Sequence, residues 1–196
     1  MTIGNSLFPV FLKLDQIHVL VVGGGNVGLE KLDALLRNDH EAKVTLVAPK
    51  VKSEIYIREE LSCGVKVKRR KFRKEDLQDV DLVILATNDQ LLNLKIRSLA
   101  RKYRLLVNVA DTPHLCDFYL GSTLKKGDLK IGISTNGKSP TFAKRLKEVL
   151  NETIPDETNA LLQNLSEIRD RLKGDFSYKV KALNGITKSL IDRNEI

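Results

Sequence analysis

The feature that most constrains this chain is a glycine-rich turn between an apolar run and an amphipathic stretch. Residues 17–22 are apolar at nearly every position, as in a strand buried on both faces. The turn Gly23-Gly24-Gly25-Asn26-Val27-Gly28 follows with the spacing G-x-G-x-x-G, and residues 26–38 then carry leucines at helical spacing. This order predicts a strand–turn–helix unit that binds a dinucleotide, although a glycine turn formed only for packing would show the same pattern.

The residues of the turn have separate expected tasks. Gly23 allows the tight turn, Gly25 lets the backbone approach a pyrophosphate, and Gly28 allows the helix to pack closely on the strand. The helix begins at Asn26 and Val27, where unpaired N–H groups and the positive end of the helix dipole favour phosphate. We expect these five residues to bind the cofactor.

The segment after the next strand lacks the carboxylate that often binds the ribose 2′-hydroxyl of a dinucleotide. It consists of Val47-Ala48-Pro49-Lys50, and we expect it to line the cofactor. Lys50 would suit the 2′-phosphate of NADP, or it is a solvated loop residue. Counting positions does not choose between NAD and NADP.

Strand-like and helix-like segments alternate as far as Asp111. Strands are predicted at 43–48, 65–72, 81–86 and 105–110, and helices at 53–61 and 91–103. This alternation predicts right-handed βαβ units. We expect an α/β domain with a Rossmann-type, doubly wound parallel sheet over residues 1–112.

The pattern changes after Pro113. Residues 118–124 and 129–134 predict a β-hairpin around a turn at 125–128, and Ser139-Pro140 opens a helix as cap and first residue. Further helices are predicted before Gly174 and over 178–191. Since these helices make a thin core alone, we expect a dimerisation region at 113–150 and a C-terminal helical region at 151–196.

Polar residues follow two predicted strands, at the sheet edge where open α/β folds bind ligands. Asp111 is the candidate catalytic residue: its carboxylate would act as a general base or hold a cationic ring nitrogen, or it only forms a turn or cap. Thr87 and Asn88 are candidate cofactor ligands. Capping of the next helix is the favoured alternative for Asn88 or Asp89.

A third candidate site precedes the helix that starts at Pro140. Hydroxyls, a glycine, a lysine and a helix start together favour an anion pocket for the substrate. An ordinary capped loop explains the same residues equally well. The residues are Ser134, Thr135, Asn136, Gly137, Lys138 and Ser139.

Composition narrows the partners and the location. The chain has 196 residues with 33 Lys and Arg against 25 Asp and Glu, a net charge of +8 that favours an anionic ligand. Its two cysteines make neither a disulfide framework nor a zinc site. No apolar run reaches the roughly 18 residues of a membrane span, and the start lacks a basic leader. We expect a cytoplasmic protein with no membrane partner and no resident metal.

The order of these motifs resembles the sirohaem synthase amino-terminal region, the precorrin-2 dehydrogenase and sirohydrochlorin ferrochelatase family. The resemblance runs from about residue 5 to residue 150 and is weaker in the terminal helices. It rests on the residues 7–12, 23–27, 47–49, 86–89, 108–111 and 134–140. It implies NAD-dependent oxidation of precorrin-2 to sirohydrochlorin by a homodimer, with Asp111 in catalysis. Thr135 stands where some members carry a serine at the tetrapyrrole pocket.

Alternatives from other classes remain open at this point. Some relatives also insert ferrous iron into sirohydrochlorin, and His114 would be a helper in that reaction. A non-catalytic NAD-sensing module would need the glycine turn but not Asp111. The seven basic residues within 66–74 would suit nucleic-acid phosphates, but they fit a solvated edge strand better, so we expect no nucleic-acid partner. Members with a fused methyltransferase are longer, so methyl transfer is not expected.

Overall fold

The computed structural model describes residues 4–188, which form two compact units. The first unit is Phe8–Leu120 and holds the parallel sheet with its helices. Within the described residues, the second unit consists of 121–188 together with 4–7.

The first unit is built on five parallel strands. They are β1 (His18–Val22), β2 (Lys43–Val47), β3 (Val65–Lys68), β4 (Leu82–Leu85) and β5 (Leu106–Val109), in the order β3-β2-β1-β4-β5. The order reverses between β1 and β4, so the carboxyl ends of these two strands flank the crevice where such sheets bind ligands. Val22 lies opposite Val47 on one side and Leu85 on the other, so three loops leave the sheet at one level. The predicted doubly wound sheet is confirmed.

Helices cover both faces of this sheet and explain why its strands are so apolar. They are α1 (Asn26–Asn38), α2 (Ser53–Leu61) and α3 (Gln90–Lys102). One core joins Val21 of β1 to Leu32 and Ile55 of the first two helices, and the other joins Leu20 to Ile96 of α3. Each fully buried aliphatic side chain contributes about 1.5–3 kcal/mol, so alternate residues of β1 stabilise opposite layers.

The second unit is a hairpin with three helices. It contains the antiparallel strands β6 (Ser122–Lys126) and β7 (Leu129–Ile133), then α4 (Pro140–Thr153), α5 (Thr158–Arg171) and α6 (Phe176–Thr187). The hairpin turn is held by α5, because Asn159 Oδ1 accepts a hydrogen bond from the Asp128 amide at 2.9 Å.

Three predicted strand boundaries were wrong, and contacts with neighbouring segments explain two of them. The strand predicted to reach residue 72 ends at Lys68, where the chain turns and Arg70 pairs with buried Asp76. The hairpin strand predicted at 118–124 starts at Ser122, since the Phe118 carbonyl instead accepts a hydrogen bond from Asn108 Nδ2 at 2.8 Å. Residues 125 and 126, predicted as turn, belong to this strand.

The last helix begins earlier than predicted. It starts at Phe176, because the Asp175 side chain caps it by accepting a hydrogen bond from the Tyr178 amide. Part of the helix predicted over 178–191 lies outside the described residues.

Within residues 4–188, none of the helices is both long enough and apolar enough to cross a membrane.

Candidate active site

The glycine turn after β1 lies against the loop after β4, at the point where the strand order reverses. Gly23 has φ +123° and donates its N–H to the Val47 carbonyl at 3.0 Å. A Cβ on Gly23 would overlap the Ala86 carbonyl, and one on Gly28 would overlap the Gly23 carbonyl. These two glycines are therefore needed for backbone packing, as their expected tasks require.

Gly25 has a different environment. A Cβ built on Gly25 would meet no atom within 4 Å, so the space in front of this backbone is open. Gly25 is also the N-cap of α1, and no side chain caps the helix there. The N–H groups of Asn26 and Val27 at this helix start are therefore not capped by a side chain, and such N–H groups are suited to bind an anion.

The loop after β2 closes one side of this turn. Gly24 packs against it, because a Cβ there would overlap the Lys50 carbonyl, and the Gly24 carbonyl accepts the Lys52 N–H at 3.0 Å. Lys52 Nζ also donates to Asn26 Oδ1 at 2.9 Å. Sequence reasoning missed Gly24 and Lys52. Gly24 occupies a variable position of the motif, and no signal in the sequence pointed to Lys52.

Only part of the segment 47–50 can present side chains to a ligand. Val47 and Ala48 are buried in the core, whereas Pro49 and Lys50 are exposed. A dinucleotide would therefore meet Val47 and Ala48 through their backbone atoms. This segment contains no carboxylate, and its one charged side chain is the exposed Lys50.

Some residues of the loop after β4 stabilise the start of α3, and another is exposed to solvent. Asp89 is the N-cap of α3 and accepts a hydrogen bond from the Leu92 amide at 2.9 Å. The Thr87 hydroxyl bonds to Asn93 Oδ1 at 2.6 Å, so this candidate ligand is already engaged within the protein. Asn88 is exposed beside them. Of the two residues considered for the cap, Asp89 takes that role.

Asp111 lies in a tight turn directly after β5. The Thr112 amide donates to the Val109 carbonyl at 3.2 Å, and Asp111 has φ +57° within this turn. Aspartate tolerates the left-handed region better than most residues, but at a cost in free energy. Asp111 is exposed, and its carboxylate has no hydrogen-bond partner among residues 4–188. It is free to meet a ligand at the same sheet edge as the glycine turn.

The loop 134–139 belongs to the second unit and is tied together by its own hydrogen bonds. Thr135 Oγ1 accepts from the Ser139 amide at 3.1 Å and donates to the Ser139 carbonyl at 3.2 Å. Ser139 caps α4 by accepting from the Phe142 amide at 3.1 Å. The alternative of a capped loop therefore describes the hydrogen bonds of this segment correctly. Gly137 and Lys138 at its tip are exposed and remain accessible.

Comparison with known proteins identifies the family. Residues 10–122 match a family model described as putative NAD(P)-binding, and residues 126–152 match one described as sirohaem biosynthesis protein central. A solved structure, SirC, precorrin-2 dehydrogenase, is similar with a TM-score of 0.72 and 33% identity, covering 95% of this chain and 90% of that one. The chain belongs to the precorrin-2 dehydrogenase family. The resemblance inferred from the motifs is confirmed.

The chain also has relatives that are longer proteins. The chain is 38% identical over 180 residues to a siroheme synthase of Psychrobacter cryohalolentis, covering 92% of this chain and 33% of the relative. It is 33% identical over 166 residues to a siroheme synthase of Methylococcus capsulatus, covering 84% and 34%. The chain thus spans about a third of the length of the curated relatives it matches.

Part of the basic stretch 66–74 has partners within the protein. Asp76, whose side chain is 1% exposed, accepts hydrogen bonds from Arg70 at 2.7 Å and from Lys68 at 3.2 Å. Arg69 lies 4.0 Å above the ring of Tyr56. Three of the cations considered for nucleic-acid phosphates therefore have partners within the protein.

A cleft of about 660 Å³ opens at the amino ends of β1, β2 and β3, away from the residues described above. His18 on its wall bonds to the Asp79 carbonyl at 2.7 Å and to Thr45 Oγ1 at 2.8 Å, so it has a structural role. Within the described part of the chain, no group of three or more His, Cys, Asp or Glu side chains is placed to bind a metal ion. His114 is exposed on a short 3₁₀ turn.

Proposed function

We propose that this protein oxidises precorrin-2 to sirohydrochlorin, with NAD as the hydride acceptor. The observation that carries the proposal is the likeness to SirC, a precorrin-2 dehydrogenase, over nine-tenths of both chains. The open glycine turn and the exposed Asp111 at one sheet edge support it. A protein of net charge +8 also suits a substrate with many carboxylates.

In this proposal the protein binds the dinucleotide and the substrate, orients them, and moves one proton. The oxidation removes two electrons as a hydride, which a bound nicotinamide accepts, and one proton leaves the substrate carbon framework. The Gly25 backbone and the N–H groups of Asn26 and Val27 hold the pyrophosphate. The Asp111 carboxylate, exposed and unpaired within residues 4–188, takes the proton.

We assign the substrate carboxylates to the loop 134–139. Lys138 is exposed at its tip, and Asn136 and Gly137 have φ values of +53° and +75°, a tight backbone turn beside this cation. Thr135 keeps a hydroxyl where some relatives carry a serine. Because this hydroxyl bonds to Ser139, we assign Thr135 to shaping the loop.

We assign the cofactor as NAD on the resemblance of the motifs. Lys50 is exposed after β2, so the 2′-phosphate of NADP would also find a cation there. A comparison of kcat/KM for NAD and NADP tests the assignment. A preference for NADP that disappears in Lys50→Ala would contradict it.

The regional assignments follow from the same proposal. Residues 1–112 form the NAD-binding domain, 113–150 the dimerisation region and 151–196 the C-terminal helical region of a cytoplasmic homodimer. The exposed apolar residues Phe142 and Val149 on one face of α4, at 60% and 56% exposure, support the dimer.

The first test is anaerobic incubation of the protein with precorrin-2 and either NAD or NADP. We expect the sirohydrochlorin spectrum to appear only when the dinucleotide is present. Ferrous iron is added after oxidation is complete, so that a later shift to sirohaem reports chelation separately. No oxidation with either dinucleotide would overturn the proposed function.

The second test separates an enzyme from a dinucleotide sensor. Asp111→Asn removes the carboxylate but keeps a side chain that tolerates φ +57°. We expect kcat to fall about 100-fold or more, within the range for loss of general-base catalysis, while NAD affinity stays within about twofold. Asp89→Asn, which preserves the cap of α3, is the matched control. Turnover at the wild-type rate in Asp111→Asn would show that Asp111 is not the base.

A further inference from the structure

Cys116 lies beneath the turn that carries Asp111. Its Sγ accepts the Val109 amide at 3.2 Å, and its proton is within reach of the carbonyls of Val109 at 3.2 Å and Thr112 at 3.5 Å. Val109 and Thr112 are the first and last residues of the four-residue turn. The sulfur therefore contacts both ends of the turn, accepting from Val109 and donating its single proton to one of the two carbonyls at a time.

The turn needs such support because of its backbone conformation. Asp111 is held at φ +57°, a region that non-glycine residues occupy only where their surroundings enforce it. A second side-chain bond within the turn, from Thr112 Oγ1 to the Ala110 carbonyl at 3.2 Å, is local. Cys116 connects the turn to the segment that follows it.

The thiol is suited to donate at neutral pH. Burial raises the pKa of Cys116, against the opposing effects of the Val109 amide and the nearby Arg97. The sulfur therefore keeps its proton and can donate it to a carbonyl of the turn as a second hydrogen bond, since the Val109 and Thr112 carbonyls already accept the Thr112 and Leu115 amides. A thiolate would accept from the amide but would repel both carbonyl oxygens.

Cys116 is itself held in place by its neighbour. Asp117 accepts hydrogen bonds from Arg97 at 3.0 Å and from the Val107 amide at 3.0 Å, and its own amide donates to the Val107 carbonyl at 2.8 Å. Arg97 is 8% exposed on α3. The sulfur is thus fixed to both the edge strand β5 and the helix α3.

We propose that Cys116 is a positioning residue, which holds the Asp111 carboxylate at the carboxyl edge of the sheet for proton transfer. This inference rests on the proposed function, since it assumes that Asp111 acts on the substrate. Cys116 acts only through the turn and does not touch the substrate.

The test compares two substitutions at Cys116. Cys116→Val replaces the thiol with an apolar side chain that neither donates nor accepts, whereas Cys116→Ser keeps a donor and an acceptor. We expect Cys116→Val to lower kcat by about 10- to 100-fold, the range for a displaced catalytic group, with NAD affinity unchanged within about twofold. Cys116→Ser is expected to recover most of kcat. Cys63→Ser, at the exposed second cysteine, is the matched control and is expected to behave as wild type.

A double-mutant comparison distinguishes positioning from general destabilisation. If Cys116 acts through Asp111, Cys116→Val will lower kcat in the wild-type background and have no further effect in Asp111→Asn. An equal loss of kcat in both backgrounds would overturn the proposal, because the thiol would then act independently of Asp111.

Amide hydrogen exchange tests the turn without using the reaction. We expect exchange in a peptide covering residues 108–117 to accelerate in Cys116→Val and to remain slow in Cys116→Ser and Cys63→Ser. Unchanged exchange in Cys116→Val would overturn the inference even if wild-type protein is active. If wild-type protein does not oxidise precorrin-2, the proposed function fails, and exchange still decides whether Cys116 holds the turn.

Discussion

At the scale of single residues, the glycine turn shows that one motif contains different kinds of glycine. Gly23, Gly24 and Gly28 are each required because a Cβ would overlap a backbone oxygen, whereas a Cβ on Gly25 would enter open space. The sequence pattern does not distinguish these cases. Packing explains the first three, and the proposed pyrophosphate contact would explain the fourth.

This difference predicts that two alanine substitutions affect different properties, protein stability in one case and NAD affinity in the other. Gly28→Ala is expected to lower the free energy of unfolding by about 1–3 kcal/mol, because its Cβ collides with the Gly23 carbonyl. Gly25→Ala is expected to fold normally but to weaken NAD binding about tenfold or more, about 1.4 kcal/mol. Urea unfolding and dinucleotide titration measure the two effects. Normal NAD affinity in Gly25→Ala would place the pyrophosphate elsewhere.

At the scale of elements, the buried Asp76 decides where β3 ends. Burial opposes ionisation of this carboxyl, but hydrogen bonds from Arg70, the Arg73 amide and Lys68 lower its pKa from 3.8 to about 2. The basic segment therefore folds back on one carboxylate. A cluster of cations that looks like a ligand surface in the sequence serves in part to fix a chain reversal.

The Asp76 carboxylate predicts a pH-dependent stability. Because its folded pKa lies below its ordinary value, its contribution of about 2–3 kcal/mol is present above about pH 4 and is lost as the pH falls toward 2. Asp76→Asn is expected to lose this amount at pH 7 and to approach wild type near pH 2. Urea unfolding across this range measures it, with the exposed neighbour in Glu75→Gln as control. A difference that is constant with pH would rule out the ion pair as its cause.

The cap of α4 allows a second prediction at this scale. Ser139→Ala removes the acceptor for the Phe142 amide and is expected to cost about 1 kcal/mol of stability. Ser139→Asn keeps a capping oxygen and is expected to retain that stability. A raised KM for precorrin-2 in Ser139→Asn would then report a substrate contact separate from the cap. Equal stability of both variants would show that the cap contributes little.

At the scale of the whole molecule, the second unit leaves large apolar side chains exposed. Phe142, Val149 and Phe176 are 60%, 56% and 82% exposed in its helices. Phe142 and Val149 lie on one face of α4, and soluble monomers seldom leave large apolar patches exposed. The proposed homodimer supplies a reason for them.

The dimer predicts a mass that depends on α4. Light scattering of the wild-type protein is expected to give twice the chain mass of 22.0 kDa, and Phe142→Glu is expected to give a single chain. Leu61→Glu, at a residue 80% exposed in the first unit, is the control and should remain dimeric. A monomeric wild-type protein would remove the dimer from the proposal.

The sequence determined the elements of this protein because their signals are local. Apolar strands, helical spacing and the glycine motif predicted β1 to β5 and α1 to α3 within a residue or two, except at the end of β3. The same local chemistry placed Asp111, Thr87 and Asn88 after strands whose carboxyl ends share one sheet edge. Order along the chain was enough to identify this edge.

The tertiary structure decided what each residue at that edge is free to do. Thr87 and Asp89 are occupied with the start of α3, while Gly25 and Asp111 face open space. The proposed role of Cys116 next to the turn of Asp111 likewise depends on a chain reversal that leaves no periodic signal. The physical reason is that a hydrogen-bond partner, unlike helical or strand periodicity, is a property of three-dimensional contact.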